Sequence, residues 1–286
     1  MVMSFSIGDC QLFLPEAGSF ALDAGAYFGI VPKLIWQKLV TVDEFNRCRI
    51  AINPLLIKTP QHTILVDPGL GDKYGDKLRF IYDIKTETNL LNSLQEINVS
   101  PADIDIVVAT HMHFDHIGAL TRINEHSEVA PTFPNAVHYF QAGEWDDATN
   151  PDERTKASYF SENFLPLQER GLVTLIEGDV QITPHVRVEK TGGHTKHHQI
   201  VIFEAQGQTV VYPGDILPSV DHLPLPYVMA LDLYPVDVMA QKRNLYRRAI
   251  ERDWIICIDH ANGEKAGRIR FEGKRYMFEP LIMAES

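Results

Sequence analysis

Cysteine is scarce. Cys10, Cys48 and Cys257 lie far apart, are odd in number and form no CxxC pair, which argues against a disulfide framework or a thiolate metal site. They read as ordinary reduced thiols. Positive charge is the second shortage: 26 Lys and Arg stand against 38 Asp and Glu, a net charge of −12, with no basic run to break the balance. Such a surface repels a phosphate backbone, so nucleic acid is not expected as a partner. Long apolar runs are missing as well. No stretch is long enough to span a bilayer, and residues 1–9 lack a basic start followed by an apolar core. The expectation is a soluble, cytoplasmic protein with no membrane partner.

Histidine, by contrast, is concentrated. The apolar run Ile104-Asp105-Ile106-Val107-Val108-Ala109 leads directly into Thr110-His111-Met112-His113-Phe114-Asp115-His116-Ile117-Gly118. Imidazole and carboxylate are the donors that zinc and its first-row neighbours accept. Residues two apart in an extended segment share a side, so His111 and His113 can grip one ion while Asp115 and His116, past the turn, reach a second. The spacing suggests two ions.

The rest of the chain reads as strands and helices in alternation. With 286 residues, 45% of them hydrophobic, it can bury a large core, and it is taken as one domain over 1–286. Residues 1–50 do not sort into one period and are expected to be loop-rich, a candidate lid or subunit contact. Leu55-Leu56-Ile57 and Thr63-Ile64-Leu65-Val66 read as a hairpin ending in Asp67-Pro68-Gly69, where the carboxylate can cap the turn. Leu90, Leu91, Leu94 and Ile97 mark a helix over 87–97. Strands are expected at 136–140, 172–176, 186–188, 199–203, 209–212 and 254–258, a helix over 235–252, and a closing hairpin over 269–276. Strand groups before and after residue 130 each bring amphipathic helices, which predicts a β-sandwich covered on both faces. Beyond the histidine cluster, Gly192-Gly193-His194, Pro213-Gly214-Asp215 and Asp259-His260 follow strands, so further ligands are on offer at strand ends. His126, His138 and His198 lie in ordinary surroundings and read as bystanders or structural residues.

The order His-x-His-x-Asp-His, then His194, Asp215 and His260, resembles the metallo-β-lactamase superfamily in its binuclear branch, over about residues 50–262. The resemblance implies an α+β fold, a four-layer αββα sandwich. It assigns His111, His113 and His194 to one ion, Asp115, His116 and His260 to the other, and Asp215 to the bridge between them, with Asp67 orienting a ligand from beside the site. Two divalent ions are implied, zinc first, with manganese, cobalt and iron compatible with the same donors. Acyl-homoserine lactone hydrolases of this superfamily tend to carry a tyrosine three residues after the bridging Asp; here the position is Pro218. Phe133-Pro134-Asn135-Ala136, Gly143-Glu144-Trp145 and His222-Leu223-Pro224-Leu225-Pro226 resemble cytoplasmic metallo-hydrolases between the lactonases and the methyl-parathion-type hydrolases.

The expected function is a binuclear metal-dependent hydrolase that uses a metal-bridging hydroxide on a small, uncharged lactone, ester or phosphotriester. The alternatives are a phosphodiesterase or nuclease-type member and a non-catalytic metal-dependent binding module. Asp215 and Asp115 are the expected catalytic carboxylates. His222, in the loop leaving Asp215, is expected to replace the missing tyrosine as a donor to the developing oxyanion. Phe114 and Tyr227 are expected to line the substrate pocket, and a homodimer is a candidate assembly.

Overall fold

Alternation at period two sorts the strand residues onto two faces. In the computed structural model, which describes residues 2–281, Ile64 and Val66 of Thr63–Val66 and Ile106 and Val108 of Ile106–Val108 point into a core shared with the second sheet. Leu65 and Val107, one residue out of phase, point away into a core shared with helices. The second sheet repeats the rule: Val201 and Phe203 face inward, while Ile200 and Ile202 pack outward.

The two sheets have seven strands each. The first runs in the order Met3–Ile7, Cys10–Leu14, Leu55–Lys58, Thr63–Val66, Ile106–Val108, Val137–Gln141, Val173–Ile176. The second runs Val180–Gln181, Val186–Lys190, Gln199–Ala205, Gln208–Tyr212, Ile255–Cys257, Ala266–Glu272, Arg275–Pro280. Buried residues of Leu90–Glu96 and Ala142–Thr149 cover the outer face of the first sheet, and those of Pro235–Glu251 cover the second. Four layers result, αββα. Asn89 starts the first of these helices by accepting from the Asn92 N–H at 3.1 Å, and Pro235 opens the last at a position whose N–H has no intrahelical partner to lose. No helix among the described residues is long and apolar enough to cross a membrane.

Residues 1–50 correct the loop-rich expectation. Met3–Ile7 and Cys10–Leu14 are two strands of the first sheet, and Ser19–Asp23 pairs with Arg47–Ala51 in a separate two-stranded ribbon. Short helices Ala24–Phe28 and Lys33–Trp36 lie between the ribbon strands. Gly8 and Pro15 cut the segment into five-residue pieces, too short for either period to show in the sequence.

Strand direction gathers the chemistry. Thr63–Val66 and Ile106–Val108 are parallel, as are Gln208–Tyr212 and Ile255–Cys257. Val186–Lys190 is separated from Gln208–Tyr212 by one antiparallel strand, so it runs the same way. Parallel strands end at one edge, where Asp67, His111, His194, Asp215 and His260 follow. The Gln199 N–H donates to the Thr110 carbonyl at 2.9 Å and ties the two sheets together there.

Candidate metal centre

The chain bends at Thr110 and His111 as it leaves its strand, His113 is extended, and a one-turn helix, Phe114–Ile117, begins immediately after it. His111 and His113 lie side by side, with ring centres 4.5 Å apart, and the turn brings Asp115 and His116 round to a second position. His194 closes the first group, its ring 4.8 Å from His111 and 4.9 Å from His113. Gly214, at φ +49°, makes the tight turn before Asp215; a Cβ there would stand 2.8 Å from His198 Nε2 and 2.8 Å from Thr110 Oγ1.

Asp215 lies between the two groups. Its Oδ2 is 3.0 Å from His194 Nε2 and 4.0 Å from His111 Nε2, while its Oδ1 is 3.3 Å from His260 Nε2 and 3.6 Å from His116 Nε2. Asp115 Oδ2 completes the second group at 3.6 Å from His116 Nε2 and 3.7 Å from His260 Nε2. His113 turns its Nδ1 inward, 3.0 Å from His194 Nε2. His111 Nε2, His116 Nε2 and Asp215 Oδ1 are buried with no hydrogen-bond partner. Orphaned nitrogens converging on a carboxylate are costly unless a cation satisfies them. The donor atoms within each group, His111, His113, His194 and Asp215, then Asp115, His116 and His260, lie within 4.8 Å of one another. This set fits two divalent ions that share Asp215.

The opposite ring nitrogens are held from behind, which fixes tautomer and orientation. His194 Nδ1 lies 2.7 Å from Asp232 Oδ1, and Asp232 Oδ2 accepts the Met229 N–H at 2.8 Å. His260 Nδ1 donates to the Ala51 carbonyl at 2.9 Å. His116 Nδ1 lies 2.9 Å from Asp67 Oδ2 and 3.2 Å from Asp259 Oδ2. Asp67 also accepts the Thr110 N–H at 2.7 Å and its hydroxyl at 2.6 Å, so it orients a histidine and pins the strand end at once.

Burial and charge divide the imidazoles. Burial, then neighbouring histidines, hold His111 and His113 well below the ordinary histidine range. Burial also works against protonating His116 and His260, but Asp115 and Asp215 raise the first well above that range, and Asp259 and Asp215 raise the second to about 9. Asp215 is pushed up by burial and held well below the carboxylate range by His194 and His116.

Above the centre opens a cavity of about 180 Å³ whose apolar wall includes Phe20, Leu22, Tyr27, Ile50, Phe114 and Met229. Phe114 is thus part of the wall of this cavity. Tyr227 does not line this cavity; it is half-buried and packs against the core around the first sheet's helices. His222 is likewise elsewhere. Its Nε2 donates to the Tyr27 carbonyl at 2.9 Å, its Nδ1 pairs with Ser219 Oγ at 2.8 Å, and its ring stacks on Phe28 at 5.1 Å and 6°. With both nitrogens used inside the protein it has no donor to offer a substrate, and burial pulls its pKa down to about 3. The helical turn Val220–His222 directs the side chain inward. His198 pairs with Thr191 Oγ1 at 2.8 Å behind the centre, His138 is buried on a strand, and His126 is exposed. Sequence reasoning missed Tyr27, Asp232 and Asp259. Only Asp259 left a signal, a second acidic residue at a strand end beside His260.

A model of the metallo-β-lactamase superfamily matches residues 49–260, more than half of the chain. The chain belongs to that superfamily. Among curated members of the superfamily, an N-acyl homoserine lactonase from a Bacillus species is 25% identical over 176 residues, covering 58% of this chain and 61% of the relative. The chain thus spans less than two-thirds of the length of that relative. A solved structure of a probable metal-dependent hydrolase from Staphylococcus aureus is 29% identical with a TM-score of 0.88, over 98% of this chain and 100% of the other. AidC, a dizinc quorum-quenching lactonase solved with a product, superposes with a TM-score of 0.81 at 18% identity, over 99% of this chain and 98% of AidC. That last likeness is one of fold.

Proposed function

We propose that the protein is a binuclear metal-dependent hydrolase of small, uncharged lactones and related esters, with phosphotriesters as the remaining substrate class. The observation that carries this reading is Asp215, whose two oxygens face two separate histidine groups at the floor of an apolar-walled cavity. His111, His113 and His194 on one side and Asp115, His116 and His260 on the other would hold two divalent ions, zinc as in AidC, whose chemistry would be to polarise an acyl oxygen and lower the pKa of a water toward neutrality. The chain's own residues do the rest. Asp215 and Asp115 would hold the ions and, through their remaining carboxylate lone pairs, accept a hydrogen bond that orients the attacking water. Phe20, Leu22 and Phe114 pack the acyl portion and exclude bulk water from the floor. Tyr27 presents its ring at the same wall, and burial keeps its phenol protonated.

Among the residues lining the cavity, Arg154 is the only Lys or Arg, which favours a neutral small molecule over a phosphodiester backbone. The three cysteines are free and buried, in keeping with a cytoplasmic enzyme that needs no thiol nucleophile. Ile30 and Leu34, 77% and 75% exposed on the N-terminal segment, support a homodimer contact, and the whole chain is taken as one hydrolase domain. The test is elemental analysis of the purified protein followed by a panel of N-acyl homoserine lactones, aryl esters and phosphotriesters. Turnover that is strongest on lactones, lost on chelation and restored by zinc is expected. Two bound ions with no turnover of any class would instead mark a binding module.

A further inference from the structure

Glu144 is a carboxylate inside the protein, 1% exposed on the helix Ala142–Thr149. Burying a carboxylate is expensive unless its lone pairs are satisfied, and here three donors satisfy them. Oε1 accepts the Met112 N–H and the Tyr159 hydroxyl, both at 3.1 Å, and Oε2 accepts the Thr195 hydroxyl at 2.7 Å.

Each donor stands next to an imidazole of the first group. Met112 lies between His111 and His113 in the chain, Thr195 directly follows His194, and the Tyr159 ring rests on His113 with centres 5.3 Å apart. The helix itself is anchored by the following residue, Trp145, whose ring packs on Phe140 at 5.4 Å and Phe164 at 5.2 Å. Glu144 is therefore free of that task. The loop after Gly193 comes close to the start of the helix: a Cβ on Gly143 would meet the His197 ring at 2.2 Å. The loop carrying His111 and His113 comes from the first sheet and the loop carrying His194 from the second, so a single carboxylate spans the sandwich at the site.

We infer that Glu144 is a positioning residue that locks these two loops together, so that the three-histidine cradle of the first ion exists before the ion arrives. An ion that must order the loops itself loses affinity by that cost, whereas a preformed cradle avoids it. The three hydrogen bonds of Glu144 all end beside imidazoles of the first group, and Asp115 and His116 are reached only further along the loop that carries Met112, so its influence falls mainly on the first subsite. This rests on the two-ion reading of the centre.

The experiment titrates metal-free protein with Zn²⁺ in two parent backgrounds, His260→Ala, which leaves the first subsite intact, and His194→Ala, which leaves the second. Adding Glu144→Ala should weaken binding about 10–100-fold in the His260→Ala parent and by less than about threefold in the His194→Ala parent. Glu144→Gln retains the acceptor for Met112 and Tyr159 and should restore most of the loss. Thr195→Val keeps the fold's shape and removes only the link to the His194 loop; it should reproduce part of the loss, and Thr195→Ser should not. Unchanged affinity in the His260→Ala parent, or equal loss in both parents, overturns the inference. If the unsubstituted protein binds no ion, both this inference and the two-ion reading fall. If it binds two ions and the Glu144 variants behave like their parents, only the inference falls.

Discussion

The two halves of the centre share Asp215 and otherwise differ in kind. The first is built from His111, His113 and His194, with one carboxylate, Asp232, paired directly to an imidazole. The second, Asp115, His116 and His260, has Asp67 and Asp259 close behind it. His111 and His113 are held unprotonated by burial and by each other's neighbourhood, while the surrounding carboxylates hold protons on His116 and His260 against burial. In the first half only His194 is raised above the ordinary histidine range, whereas in the second both His116 and His260 are, so an ion bound there would compete with more protons.

Removing the shared residue should erase the difference. Asp215→Ala is expected to lower the occupancy of both ions and to cost activity beyond the ~10–100-fold typical of losing an outer partner, read by elemental analysis beside steady-state rates. A second ion bound as before would show that the two halves do not depend on one bridge. Outer partners should then separate them. Asp67→Asn, where asparagine tolerates the φ of +46°, should weaken the second ion about 10–100-fold and spare the first, and Asp232→Asn should do the reverse.

Acid should separate them less sharply. Below about pH 6.5 the second ion must displace protons from both His116 and His260, whereas in the first half only His194 is raised above the ordinary range of 6.5, by Asp215 and Asp232 against the effect of burial. The second ion's affinity should therefore fall about tenfold more per pH unit than the first's, measured by competition with a chromophoric chelator. Parallel curves would remove the charge distinction. In the ion-free protein His260, whose pKa rises from 6.5 to about 9 on folding, contributes stability that is fully present below pH 6.5 and lost as pH climbs through about 9. The gap in melting temperature between metal-loaded and metal-free protein should therefore widen across that interval. The smallest effect on catalysis belongs to His222→Ala. It should cost stability of ~1–3 kcal/mol by stranding the Tyr27 carbonyl and Ser219, with ion content and turnover near those of the parent; a hundredfold fall in turnover would return His222 to the reaction.

What could be read from the sequence follows from the same contrast between local and distant information. Seven candidate ligands were legible because a strand end confines them: His111, His113, Asp115 and His116 fall within six positions, and glycines or a second acid flank His194, Asp215 and His260. Short apolar runs bounded by turn residues, with alternation at 136–140 and in the closing hairpin, made most strands of both sheets legible from Leu55 onward. His222 and Tyr227 misled because nearness along the chain to Asp215 does not say which way a helical turn aims a side chain. Tyr27 was hidden because its segment reaches the cavity from the far end of the chain, through a ribbon whose strands are too short to show a period. Asp232 leaves no local signature, and Glu144 shows only as part of the Gly143-Glu144-Trp145 segment, which does not say what its carboxylate does. Each is defined by what it touches across 38 and 51 residues of chain.

The second half of the centre is also closed by contacts between nearly opposite ends of the polypeptide. The Ala51 carbonyl holds His260, and Asn53 donates its backbone N–H to Asp259 and its side-chain amide to the Ala261 carbonyl at 2.9 Å, across separations of 206 to 209 residues. At ordinary elongation rates roughly 10–40 s pass between the synthesis of these two segments. His111, His113 and His194 are all made within that interval, before either Asp259 or His260 exists. The order in which the ribosome delivers the ligands therefore completes the three histidines of the first group with His194, whereas the second group, although Asp115 and His116 are already made, waits for His260.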